Sequence, residues 1–84
     1  MQELIAKVRE IINKIDGFTR DFQFKNGQIE EDINTVMQEF GDGASGEDKK
    51  YLSSLNAGKN RYRDAIDTLQ IAKQRLEEVL THLS

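Results

Sequence analysis

Cysteine, proline and tryptophan are all missing from the 84 residues. Without cysteine the chain has no disulfide, no thiolate metal site and no cysteine nucleophile, and it does not feel the redox poise of its compartment. Without proline nothing breaks a long helix, since a proline in a helix interior costs about 3 kcal/mol. No apolar run approaches the ~18 residues of a membrane span, so no membrane insertion is expected. Met1–Glu10 mixes charges with apolar residues and lacks the apolar centre of a signal peptide. The expected location is therefore the cytoplasm, or outside the cell by a route that cleaves no leader.

Charge of one sign is also scarce. Fifteen acidic and 12 basic residues leave a net charge of −3, which argues against nucleic acid as a partner, because such proteins carry a basic face. Apolar residues make up 37% of the chain and charged residues 32%. Eighty-four residues are one domain, near the size at which a lone core is marginal. A chain this polar either packs one narrow seam regularly or completes its core against another chain.

What is present is a seven-residue rhythm. Val8, Ile15, Phe22, Ile29 and Val36 form one track; Ile5, Ile12, Thr19, Asn26, Ile33 and Phe40 form a second, three residues ahead. Together they mark the inward positions of a helix packed along a seam. Gly17 and Asn26-Gly27 carry helix cost, and Asn-Gly between Phe24 and Ile29 is also a hairpin signal. The alternatives are a helix broken near Gly17 or Gly27, or a small β-hairpin over 20–30. The phase of the heptads persists across both glycines, which favours a continuous helix.

Residues 41–46, Gly-Asp-Gly-Ala-Ser-Gly, read as a turn. Gly41 suits a left-handed cap, and Ser45 with Asp48 forms an acidic variant of the capping box. Beyond it, Leu55, Tyr62, Leu69, Leu76 and Leu83 recur every seven residues, flanked by Leu52, Ile66 and Leu80. The expected architecture is all-α: one domain over 1–84, with a helix over about 3–40, a turn at 41–46 and a helix over about 47–83. Folded about the turn, facing residues have numbers that sum to about 88, as an antiparallel coiled coil requires. Ile5 then meets Leu83, Val8 meets Leu80, Ile12 meets Leu76, Phe22 meets Ile66, Ile33 meets Leu55 and Val36 meets Leu52. Glu30, Glu31 and Asp32 come near Lys59 and Arg61.

That register leaves apolar residues over. Lys59 and Lys73 interrupt the seam, while Leu4, Ile11, Phe18, Ala65, Ala72 and Val79 widen the apolar face beyond what one facing helix covers. Apolar burial is worth about 25 cal/mol per Å², so a second hairpin, giving a four-helix bundle, is expected to cover it; long lysine and glutamate stems could instead cover it in a monomer. Phe24 and Ile71 fall outside both tracks. As exposed apolar side chains they are further candidates for a partner interface, although Phe24 could instead pack locally near Gly27.

Chemistry is hard to find. His82, the only histidine, suits the negative end of a helix dipole. Glu30-Glu31-Asp32 point in different directions on a helix and lack cation-ligand spacing. The glycine-rich turn has neither the lysine nor the strand of a phosphate loop. Lys59-Asn-Arg-Tyr-Arg63 is a basic patch whose tyrosine sits on the core track. No catalytic residue, metal ligand or cofactor is expected, and the partner is a protein.

In outline the chain resembles the small helical hairpins of the type VII secretion (Trp-x-Gly, early-secreted-antigen-like) family. The likeness rests on length, two long helices, a mid-chain glycine turn and the lack of cysteine. Phe40-Gly41-Asp42-Gly43 stands where that family has its Trp-x-Gly turn. Leu55 and Ile66, four residues after Tyr51 and Tyr62, stand where its export signal has an acid. The resemblance implies a hairpin that dimerises with itself or a relative, or one that partners a larger secreted toxin and travels with a chain that carries the signal. The competing readings are a structural subunit of a helical assembly and a regulatory or chaperone-like helical module of the cytoplasm.

Overall fold

A computed structural model describes residues 1–40 and 46–83. Helix α1 runs Gln2–Phe40 and helix α2 runs Gly46–Leu83, and no strand occurs among the described residues. The expected caps at Gly41 and Ser45 lie outside them. Helix α2 includes Gly46, one residue before the expected start.

Helix α1 passes unbroken through Gly17 and Gly27, so the Asn-Gly hairpin does not form. The reason is cooperative. A hairpin at 20–30 would strip Phe22 and Ile29 from the seam, whereas two glycines cost roughly 2 kcal/mol of helix propensity. A Cβ at either glycine meets nothing within 4 Å. Gly17→Ala and Gly27→Ala are each expected to raise the unfolding free energy by about 0.8–1 kcal/mol; urea denaturation of the single and double variants checks this. A loss of stability would mean that helix α1 bends at these points.

The helices lie side by side and antiparallel in a rod 62 × 14 × 13 Å along its principal axes. The Cα radius of gyration, 18.8 Å, is well above the ~12 Å of a globular domain of this length. Among the described residues, three polar links tie the helices together. Lys73 Nζ is 2.8 Å from Asp16 Oδ1, Lys59 Nζ is 3.0 Å from Glu30 Oε1, and Gln70 Nε2 donates to Thr19 Oγ1 at 3.2 Å. In each pair the two residue numbers add to one more than the value expected for the register. The Phe22 and Tyr62 rings pack at a tilt, with centroids 5.6 Å apart.

Burial is sparse, as a two-helix rod dictates. Val8 (6%), Ile15 (8%) and Thr19 (6%) are buried, and among the described residues no side chain is completely enclosed. The remaining seam residues are half-buried: Ile5, Ile12, Phe22, Ile29, Ile33 and Val36 on α1, and Leu52, Leu55, Tyr62, Ile66, Leu69, Leu76, Leu80 and Leu83 on α2. Thr19 satisfies its own hydroxyl by donating to the Ile15 carbonyl at 2.9 Å. Asn26, on the same track one heptad on, leaves Oδ1 buried with no partner in the structure. Polar side chains at inward positions weaken a seam but mark its register, since a slipped pairing would bury them against different neighbours.

Candidate functional site

The two sides of the hairpin differ in chemistry. On one side lie the links Asp16–Lys73, Thr19–Gln70 and Glu30–Lys59. A shallow hollow of about 310 Å³ on that side is lined by Glu30, Ile33, Asn34, Asn56 and Lys59. Lys59 and Lys73 therefore do not simply interrupt the seam: each reaches across it to a carboxylate. The hydrogen bond to Asp16 raises the Lys73 pKa above its ordinary value, while partial desolvation pulls it down. The hydrogen bond to Asp21 does the same for Lys25, with the charge of Asp21 adding to it.

For a lysine whose folded pKa is raised, the stabilisation is full below the unfolded value and disappears as pH climbs through the folded one. Lys73 is thus expected to contribute no pH dependence to stability around neutrality. A loss should set in above about pH 10.4, the ordinary lysine value. Thermal melts from neutral to strongly alkaline pH check this, and Lys73→Gln should make the alkaline decline shallower.

The opposite side is apolar. Leu4, Ile11 and Phe18 form an exposed stripe on α1, four residues ahead of the Val8, Ile15 and Phe22 track. Gly58, Ala65, Ala72 and Val79 occupy the same place on α2, four residues ahead of Tyr62, Leu69, Leu76 and Leu83. Residues four apart share a helix face. The Phe22–Tyr62 ring contact, and the 3.6 Å approach of the Ile29 Cδ1 to a Cβ built at Gly58, put the two stripes on one side of the rod. Between them opens a second hollow of about 320 Å³, lined by Phe22, Gly58, Arg61, Tyr62 and Ala65. The small Gly58 and Ala65 of α2 make room for this hollow, and Phe22 of α1 with Tyr62 and Arg61 of α2 wall it.

Of the residues expected at a partner interface, this face gathers Leu4, Ile11, Phe18 and Val79, all exposed, with Ala65 and Ala72 half-buried beside them. Phe24 and Ile71 are not brought to it. Phe24 is 67% exposed but sits two residues beyond Phe22, about 200° round the helix, and Ile71 stands in the same relation to Leu69. Each points outward alone. Met37 and Tyr51 are also exposed, nearer the turn.

No group of three or more metal-ligating side chains occurs among the described residues, and no described helix is long and apolar enough to cross a membrane. His82 is exposed in the last turn of α2. Glu31 and Asp32 are exposed and, like Arg61, make no ion pair among the described residues.

Fold and face together define a class: an antiparallel two-helix hairpin with one polar side and one uncovered apolar side. Compared with known proteins, the chain matches no family model, no curated protein and no solved structure.

Proposed function

We propose that the chain is a non-catalytic interaction hairpin that completes its core by docking the Leu4–Ile11–Phe18 side onto another helical chain, forming a four-helix bundle. The uncovered face carries this reading. The accessible surface is 6495 Å², whereas a compact monomer of 9.6 kDa would expose roughly 5,100 Å². The excess exceeds the ~800 Å² that each partner buries in a standard interface. Burying apolar surface at about 25 cal/mol per Å² provides the driving force.

The resemblance in outline to type VII secretion hairpins suggests the setting: a small secretion-associated protein, or the partner and chaperone of a larger secreted effector. Leu55 and Ile66, which stand where that family's export signal has an acid, suit a chain that travels with a partner carrying the signal. The test is native mass spectrometry of the tagged chain isolated from its host and from the culture medium. The expected species is the chain with one helical protein, present in both fractions and lost on Ile11→Asp. A lone chain in both fractions, or a complex indifferent to Ile11→Asp, would count against the interaction reading. A complex confined to the cells would count against the secretion setting alone.

A further inference from the structure

The charges around the apolar face oppose the charge of the chain. Along the outer margin of the α1 stripe stand Lys7 and Lys14, each three residues after a stripe residue; Arg61 and Arg75 hold the equivalent margin of α2. All four are exposed. Among the residues whose side chains are described, the one acid on these margins is Asp21, which is held by Lys25 at 3.0 Å. Lys14 faces Glu10 at 3.5 Å, while Lys7, Arg61 and Arg75 have no acidic partner among the described residues. A chain of net charge −3 thus frames its apolar side with cations.

Resting on the interaction reading above, we infer that the occupant of this face is an acidic amphipathic helix or helix pair of a different protein, with carboxylates flanking its apolar stripe. A second copy of the chain is the poorer fit. A two-fold interface brings the same patch of both subunits together, so cationic margins would meet cationic margins, and like charges across an interface are costly. A carboxylate-flanked helix turns the same margins into attraction. It also fills the hollow at Gly58 and Ala65 with a side chain, which a flat lipid surface would leave empty.

The test uses the full chain and two synthetic helical peptides of about three heptads. Both carry the same leucine and alanine face, one flanked by glutamates and the other by lysines. Titration calorimetry is expected to show the glutamate peptide binding at least tenfold tighter, with the preference shrinking as salt shortens the ~10 Å screening length. The Lys7→Glu, Arg61→Glu, Arg75→Glu triple variant, checked for retained helicity by circular dichroism, should invert the preference. Equal binding of both peptides, unchanged in the triple variant, would overturn the inference and leave the interaction reading standing. Binding of neither peptide would overturn both. Two further results would overturn the acidic-partner inference alone: concentration-dependent dimerisation of the chain in sedimentation equilibrium, or binding to phosphatidylglycerol vesicles in preference to the glutamate peptide.

Discussion

Phe18→Asp is expected to abolish partner binding while leaving the hairpin folded. The side chain is 54% exposed in the isolated chain, so it contributes little to the seam. Exposed substitutions away from special features usually change stability by about 0.5 kcal/mol or less, and aspartate adds only a small helix-propensity loss. In the proposed complex the same ring is the largest side chain of the Leu4–Ile11–Phe18 stripe and closes its apolar end, next to Lys25 in heptad order. Anchors of this kind contribute about 2–4 kcal/mol to binding, and a buried carboxylate adds its own desolvation cost. The affinity should fall at least a hundredfold, with the thermal midpoint of the free chain almost unmoved. Calorimetry against the partner, paired with a melt of the variant alone, separates the two quantities. Phe24→Asp is the matched control, since Phe24 lies on the far side of α1 and should leave binding intact.

Ile15→Ala is expected to have the largest effect on the free chain. Ile15 is 8% exposed, and Val8, at 6%, is its nearest buried neighbour on the track. Truncating a buried isoleucine costs about 2–5 kcal/mol. Domains hold roughly 0.05–0.15 kcal/mol per residue, and a rod with so little enclosed apolar surface belongs at the low end. A loss of even 3 kcal/mol would lower the midpoint by about 12–24 °C, at the 4–8 °C per kcal/mol typical of small domains. Far-UV circular dichroism melts give the value directly. A partner that covers the apolar face should restore part of the lost stability by mass action.

These two positions show why the fold was legible before the face was. Val8, Ile15, Phe22 and their counterparts on α2 repeat every seven residues with no lapse, and that period specifies both helix and seam. The register follows to within one residue because one pairing satisfies both helices at once: the Asp16–Lys73 and Glu30–Lys59 pairs add to one more than the expected value. Local signals were weaker guides. Asn26-Gly27 favours a turn by its own chemistry, but the flanking apolar residues gain more from an unbroken helix.

The two-sidedness was harder to see. Lys59 and Lys73 look like faults in an apolar track when α2 is considered alone. Their carboxylate partners lie on the other helix, some 29 and 57 positions away in the chain. The cationic margins were hidden for a related reason. Lys7, Lys14, Arg61 and Arg75 are diluted by acids on other faces, so the net charge conceals them. Phe24 and Ile71 are both exposed, but angular position, not exposure, decides whether a side chain shares a face with others. Two residues along a helix is more than half a turn.

The central claim is that one side of this hairpin, and not exposed apolar surface in general, meets the partner. Hydroxyl-radical footprinting of the free chain and of its complex from the native host tests it most directly. Leu4, Ile11, Phe18 and Val79 should lose reactivity on binding, while Phe24 and Ile71 should keep theirs. Protection of Phe24 and Ile71 with Phe18 still reactive would contradict the account.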